Sequence, residues 1–398
     1  MKKRPFLKWA LLGALSLAPV SVLFGQEDAL PVSGVIPDRY IVVLKPGADH
    51  GRVASRHGLA PDLAYSHALN GFAGHVPPGQ LRLLQSDPDV VWIESDQVVT
   101  IVGVSGKGGK TPPPPAAQVI PTGVQRIGAA PSGVEDFSAV GIAIIDTGID
   151  LTHPDLNVKG NVTFVRATRS GNDDNGHGTH CAGIAAAINN TIGVVGVAPN
   201  ASLYAVKVLD RNGNGTYSAV IAGVDWVTAN AGSLGIRVAN MSLGGPDSPT
   251  LKTAIANSVA AGVVYCVAAG NDSADAKDFS PANCPEAVAV SAIDDRDGLC
   301  GNDVFASFSN FGSFVHIAAP GVNIYSTYKG GGYATMSGTS MAAPHVTGAA
   351  AKYIAHNPAS AADVYGALIA AGTAQTDFCG FTRDKDIIPE PLVNAAGL

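Results

Sequence analysis

The chain has 398 residues, of which 46% are hydrophobic and only 14% charged, and its formal net charge is −7. A single hydrophobic core rarely grows beyond roughly 250–300 residues, so this length predicts two folded units plus processed segments. The acidic balance leaves no basic face able to neutralise a phosphate backbone, which excludes nucleic acid as a partner.

Along the chain, "MKKRPFLKWALLGALSLAPVSVLFGQ" opens with Lys2, Lys3 and Arg4 and continues apolar to Phe24. This reads as a secretory signal over residues 1–25, cut near Gly25. A membrane anchor is the weaker reading, because Lys8 and Pro19 interrupt the apolar run. No later stretch can span a bilayer, so a secreted, extracellular product with no membrane partner is expected.

Residues 26–102 form the first folded unit. "DRYIVVLKPG" and "VVWIESDQVVTI" read as outer strands, "LAYSHALNGFAGHV" as a hairpin around Asn70-Gly71, and "ADHGRVASRHG" and "GQLRLLQSDP" as short helices. The order is β-α-β-β-α-β, and a module this small folds best against a partner. "GVSGKGGKTPPPPAAQ" follows. It nearly matches a phosphate-binding loop, but Val104 stands where the first glycine is required, and Pro112 to Pro115 replace the helix. Residues 103–116 therefore read as a Gly/Lys/Pro-rich linker.

From residue 117 to 398 strands and helices alternate. "VGIAIIDTG", "SLYAVKVLD", "RVANMSLGG" and "GVVYCVAAGN" are continuous apolar strands, while "GTHCAGIAAAI", "YSAVIAGVDWVTAN", "TLKTAIANSVAAG" and "SMAAPHVTGAAAKYIAHN" have helical period. The expected fold is α/β, a doubly wound, mostly parallel sheet with helices on both faces and a site at the carboxyl ends of its strands. Five cysteines leave at least one thiol over. Cys181 reads as a small buried hydrophobe, and Cys284 and Cys300, in loop-like sequence, are the expected disulfide.

"DDNGHGTHCAG" packs two aspartates, two histidines and a cysteine into residues 173–183. It could hold a metal, carry a catalytic base, or be a glycine-rich turn. Four polar groups fall at the expected strand ends: Asp146 after "AII", His177 before a helix, Asn271 after "CVAAG", and Ser340 in "MSGTSMAAPH". Each alone is an ordinary turn or cap residue. Together they supply the carboxylate, imidazole, amide and hydroxyl of nucleophilic catalysis, in which a histidine takes the serine proton and a carboxylate orients that histidine.

"IIDTGIDLTHPDL", "NGHGTHCAGIAA", "NMSLGG", "AAGND" and "GTSMAAPHVTGAAA" resemble, in order, the successive motifs of subtilisin-like serine proteases over residues 117–398. "THCAG" leans toward the proteinase K branch, where a free cysteine follows the second histidine. The resemblance implies a secreted serine endopeptidase with the triad Asp146, His177 and Ser340, and an oxyanion site at the Asn271 amide and Ser340 N–H. His180 is then a packed, structural histidine. Residues 26–102 resemble the family's propeptide, a small α+β, ferredoxin-like domain that chaperones folding and inhibits the enzyme from within the same chain. The expected active form is a monomer acting on peptides and proteins.

In the family, substrates lie as an added strand between two segments, matched here by Gly213, Asn214 and Gly215 with Tyr217, and by Ser242, Leu243 and Gly244. Leu243 with Ala268, Ala269 and Gly270 suggests an open apolar S1 pocket, and Tyr217 and Val220 resemble the walls of S4, so broad cleavage after hydrophobic residues is expected. "AINNTIGV" resembles the family's structural Ca²⁺ loop, with ligands from Gln118, Asp155, Ile188, Asn190, Ile192 and Val194. At a second, weaker family site His316 replaces an aspartate, and an imidazole suits Ca²⁺ poorly.

Rival readings remain. A zinc site of the H-E-x-x-H kind lacks its Glu, and an aspartic protease would need a second Asp-Thr-Gly or Asp-Ser-Gly, which the chain does not have. A catalytically silent binding relative has no reason to keep all four chemical positions filled.

Overall fold

A computed structural model describes residues 34–102, 117–133 and 135–398; the expected signal at 1–25 and the linker at 103–116 lie outside the described residues. The first unit contains β1 (Val35–Leu44), α1 (His50–Arg56), β2 (Leu63–Tyr65), β3 (Gly71–His75), α2 (Pro78–Gln85) and β4 (Val90–Ile101). Its strands pair antiparallel in the order β4-β1-β3-β2. Alternate residues Val42 and Leu44 join Val53, Phe72 and Leu84 in a separate small core beneath the two helices.

The hairpin expected around Asn70-Gly71 is present, closed by a five-residue loop. Tyr65 pairs with Gly71, so the loop runs over residues 66–70. An outside carboxylate holds it: Asp225 accepts the N–H groups of Ser66, His67 and Ala68 at 3.1, 2.7 and 2.7 Å. An ionised acceptor facing three amides holds the loop at this width.

The second unit runs α3 (Thr122–Arg126), β5 (Gly141–Asp146), β6 (Val158–Thr163), α4 (His177–Ala186), β7 (Ser202–Lys207), β8 (Asn214–Thr216), α5 (Tyr217–Leu234), β9 (Ile236–Met241), β10 (Leu243–Pro246), α6 (Pro249–Ala260) and β11 (Val264–Ala268). It continues with β12 (Phe279–Ser280), β13 (Val288–Asp294), β14 (Val304–Phe305), β15 (Ile317–Pro320), β16 (Ile324–Tyr328), β17 (Gly332–Met336), α7 (Thr339–His356) and α8 (Ala361–Ala371). The parallel strands order β6-β7-β5-β9-β11-β13, with β15 also beside β13.

Every residue of β5 is buried. Ile142 and Ile144 enter one core with residues of α4, α7 and α8, whereas Ala143 and Ile145 enter the other with residues of α5 and α6. The period-2 alternation of a strand thus buries both faces, which is why these strands read as unbroken apolar runs. Among the described residues no helix is long and apolar enough to cross a membrane.

The disulfide corrects the sequence expectation. Cys300 bonds Cys379, 79 residues away, and Cys284 is free. Cys284 is buried in the α5/α6 core. Residues near Cys300 instead meet the C-terminal segment, where Val304 forms a bridge with Thr382 and Arg126 ties Asp303 to the Cys379 carbonyl. Cys181 and Cys266 are also free and buried, as a small hydrophobe should be.

Beside this corner Glu390 is 6% exposed and accepts from Ser291 Oγ at 2.8 Å. Burial pushes its carboxyl up to about 8, and Asp384 and Asp386 add to the rise. The folded state therefore holds a proton that the unfolded chain loses near the ordinary value of 4.5, and this group makes stability fall as pH rises from there toward about 8. Glu390→Gln keeps the acceptor without the charge. Its melting temperature should match the parent near pH 5 and exceed it by a few degrees near pH 9, where ~1 kcal/mol shifts a chain of this size by roughly 2–4 °C. Equal melting curves at the higher pH would contradict this.

Candidate active site

Chain order reverses beside β5: the chain fills β6 and β7 on one side of it, then crosses to β9 and β11 on the other. Such a switch point opens a crevice at the carboxyl ends of the strands. Asp146 is the last residue of β5, Ser242 follows β9, and Ala269 to Asn271 follow β11.

His177 is the first residue of α4 and fully buried. Its Nδ1 donates to Asp146 Oδ1 at 2.8 Å and lies 3.0 Å from Oδ2, and Nε2 has no partner among the described residues. The turn before it is organised by Asp173. One Asp173 oxygen accepts from Asn175 N, Gly176 N and Thr147 Oγ1 at 2.8–2.9 Å, and the other from Thr179 N and Oγ1 at 3.0 and 2.6 Å. It thereby caps α4 and ties His177 to the residue after Asp146. Gly176 has φ 116°, and a Cβ there would lie 2.3 Å from the Tyr328 ring.

The remaining members of "DDNGHGTHCAG" are structural. Asp174 pairs with Lys207 at 2.7 Å. His180 Nε2 donates to the Ile324 and Ala334 carbonyls at 3.1 and 3.0 Å, and burial lowers its pKa to about 3. Asp146, His177 and Cys181 present possible ligand atoms within 4.8 Å of one another. Burial, however, holds the Cys181 thiol well above its ordinary value, and it is directed at the Ser340 carbonyl at 3.4 Å.

Ser340 is the second residue of α7, behind Gly338 at φ 151°. Its hydroxyl donates to the Val102 carbonyl and lies 3.2 Å from the Ser242 carbonyl. Asn271 Oδ1 accepts from Thr339 N and Thr339 Oγ1, both at 2.9 Å. That orientation leaves Asn271 Nδ2 buried and, among the described residues, unpartnered. A backbone carbonyl, a hydroxyl, a carboxylate-oriented imidazole and a free amide donor are thus assembled at one place, as acyl transfer requires.

The carbonyl arrives on an inserted strand. β4 pairs antiparallel with β8 through Val98, Val99 and Thr100, and with β10 through Thr100 and Ile101. Ile101 N donates to Gly213 O at 2.9 Å and Val102 N to Ser242 O at 3.2 Å. A Cβ on Gly213 would meet Ile101 at 2.9 Å. Beside Val102 lies a cavity of about 390 Å³ lined by Gly244, Ala268, Ala269, Gly270 and Asn271, and also by Phe279, Ser280 and Ala282. Sequence reasoning missed the last three, which carry no motif; Phe279 and Ser280 lie on β12, which pairs with β10. Leu243 instead buries its side chain in the core with Val99, Tyr217 and Val220.

Of the residues expected to bind Ca²⁺, all six meet at one loop. Gln118 Nε2 donates to the Ile188 and Val194 carbonyls at 2.7 and 3.1 Å. Asp155 accepts from Asn190 Nδ2 at 2.9 Å and from Val194 N at 3.0 Å, and Ile192 N donates to Asn190 Oδ1 at 2.7 Å.

Comparison with known proteins agrees. A profile described as "Subtilase family" matches residues 138–379, and one described as "Peptidase inhibitor I9" matches residues 62–102. An alkaline protease of Alkalihalobacillus alcalophilus is 44% identical over 284 residues, covering 71% of this chain and 68% of that protein. Subtilisin E of Bacillus subtilis is 41% identical over 297 residues, covering 73% and 72%. The crystal structure of a cold adapted subtilisin-like serine proteinase superposes with a TM-score of 0.59 at 36% identity, covering 69% of this chain and 97% of that one. With the buried Asp146–His177 pair, the Ser340 helix start and these matches in hand, the chain belongs to the subtilase family, as a serine endopeptidase preceded by an inhibitor-type propeptide domain.

Proposed function

We propose that Ser340 Oγ attacks the scissile carbonyl, that His177 Nε2 takes its proton and later returns it to the leaving amine, and that Asp146 holds the imidazole in the required tautomer. The oxyanion forms against Asn271 Nδ2 and the Ser340 N–H at the start of α7, where the helix end adds partial positive charge. The observation that carries this reading is the Val102 carbonyl held at the Ser340 hydroxyl, with the free Asn271 donor beside it.

Val99 to Val102 occupy the places of substrate residues, so the propeptide is the first substrate and then the inhibitor. Val102 fronts the apolar cavity, which supports broad cleavage after hydrophobic residues, while Val99 shares a core with Tyr217 and Val220, the proposed S4 walls. The proposed organisation is a signal at 1–25, a propeptide at 26–102, a linker at 103–116 and the peptidase at 117–398. Secretion is supported by the Cys300–Cys379 bond, which persists in oxidising compartments. The mature enzyme acts as a monomer on peptides and proteins, with no nucleic acid or membrane partner.

The loop at Gln118 and Asp155 fits a structural Ca²⁺. Its donors are hard oxygens, and amide N–H groups of Gln118 and Asn190 now face the same carbonyls and carboxylate that would surround a cation. With either amide turned over, its oxygen joins them. Burial pushes the Asp155 carboxyl up to about 6, and a cation beside it would favour its charged form. The ion would tie the N-terminal segment to the 187–194 loop. At the second family position His316 Nδ1 accepts from Ala289 N at 3.1 Å and its ring packs edge-on against Tyr365.

Three outcomes test these proposals. Ser340→Ala should abolish peptide hydrolysis and leave the precursor uncut; mature-sized protein from the purified variant would refute the mechanism. N-terminal sequencing of secreted enzyme should show a first cut close after Val102, with trimming up to Ala117, and a start before Val90 or after Thr122 is incompatible with it. Chelation should lower the midpoint of thermal inactivation without immediately stopping turnover, and Asp155→Ala should remove most of that response because binding to the folded state alone stabilises by mass action. An unchanged midpoint with chelator would rule the site out.

A further inference from the structure

The oxyanion reading explains how the Asn271 amide is turned, since Thr339 holds Oδ1, but not how the residue itself is held in place. Asn271 sits on a loop that leaves β11 at once: Gly270 has φ 113°, and residues 269–274 form no regular element. The loop would strand inward-facing donors and acceptors. Thr339 Oγ1 takes one, the Gly270 N–H at 3.2 Å, and Asn310 takes four more. Asn310, fully buried, donates from Nδ2 to Ala269 O at 3.0 Å and accepts at Oδ1 from Asp272 N at 2.9 Å and Ala274 N at 3.1 Å. Its own N–H donates to Gly270 O at 2.9 Å. These bonds bracket Asn271 on both sides.

The fit is close and chemically selective. A Cβ on Gly270 would lie 2.1 Å from Asn310 Nδ2, so the side chain fills the space under the turn. Only an amide combines a donor with an acceptor carrying two lone pairs at that length; an ionised carboxylate cannot donate to Ala269 O, and a hydroxyl is too short to span the loop. Further backbone bonds, from Ser273 N to Phe308 O and from Phe311 N to Ala274 O, lace the same two segments. They register the loop against residues 308–311 without touching the groups that flank Asn271 most closely.

We infer that Asn310 is a positioning residue for transition-state stabilisation: it touches no substrate, but it sets where the Asn271 Nδ2 donor points. The inference rests on the reading of Asn271 as an oxyanion donor. Oxyanion stabilisation depends on donors fixed before charge develops, so displacement of that donor acts on kcat and spares ground-state binding by strand pairing. A misplacement of about 1 Å is worth up to 10²-fold in rate.

The test is a double-mutant cycle on kcat and KM for a peptide anilide, using mature enzyme counted by titration with a serine-directed phosphonylating reagent. Variants that process themselves slowly are matured by tagged wild-type enzyme that is then removed. Asn310→Ala should lower kcat by roughly 10-fold or more with KM nearly unchanged, and Asn271→Ala by on the order of 10²–10³-fold. The double variant should be no worse than Asn271→Ala within about twofold, because the two residues act through one donor. Losses that simply multiply, or an Asn310→Ala enzyme with a lowered melting temperature but normal kcat per titrated site, would overturn the inference. If Asn310→Ala yields no folded protein, Asn310→Ser, which retains one acceptor, goes through the same cycle with the same criteria. Full kcat in Asn271→Ala would sink the oxyanion reading itself, a result separate from either outcome at Asn310.

Discussion

Two strand edges that face each other across a gap organise this protein. β8 and β10 each present backbone N–H and C=O groups toward the space between them, and β4 fills it with paired bonds on both sides. An unpaired edge is a ready template for any extended chain. Strand addition of this kind binds through main-chain groups and tolerates varied side chains. The same physics that seats the propeptide therefore suits a protease of broad specificity, and it delivers the carbonyl of the last described propeptide residue, Val102, to the Ser340 hydroxyl.

Charge-assisted caps reinforce the strand. Asp96 accepts from Ser218 N and Oγ at 3.0 and 2.5 Å in the first turn of α5, and Glu94 accepts from Thr250 N and Oγ1 at 2.9 and 2.5 Å in the first turn of α6. Helix N-termini offer unsatisfied donors and partial positive charge, so carboxylates placed there are favourable. Asp225 returns the arrangement by binding three propeptide amides. Helices α5 and α6 lie under the strand that must be docked, so each unit completes polar groups the other leaves open. This accounts for a small N-terminal module, with a core of its own but few residues in it, finding stability against its partner.

The active centre is rigid for a related reason. Its polar groups are buried at the ends of strands whose own side chains are apolar on both faces, so each must be satisfied by a specific neighbour. Asp173 gathers five donors around the start of α4, Thr339 turns Asn271, and Asn310 spans the loop that carries it. Among the described residues, His177 Nε2 and Asn271 Nδ2, the groups assigned to the reacting atoms, stay unpaired. The bonds around them leave those two atoms poised.

The division of labour between sequence and tertiary structure follows from the range of the interactions involved. Unbroken apolar runs such as "GIAIID" and the helical period of "SMAAPHVTGAAAKYIAH" determine strands, helices and a two-faced sheet, because burial of a strand or a helix face is written in the local sequence. The wording around Asp146, His177, Asn271 and Ser340 points to the chemistry for the same reason: each motif carries its own turn and cap. The sequence could not pair Cys300 with Cys379 across 79 residues, close the 66–70 loop on Asp225, send Leu243 into the core, or bring Phe279 and Ala282 to the cavity beside Val102. It also gave no sign that Asn310, an ordinary residue in "FSNFG", lies under the loop of Asn271. These contacts join segments far apart in the chain. Nothing in their local composition records the partner, and only closure of the sheet and docking of the propeptide strand bring them within hydrogen-bonding distance.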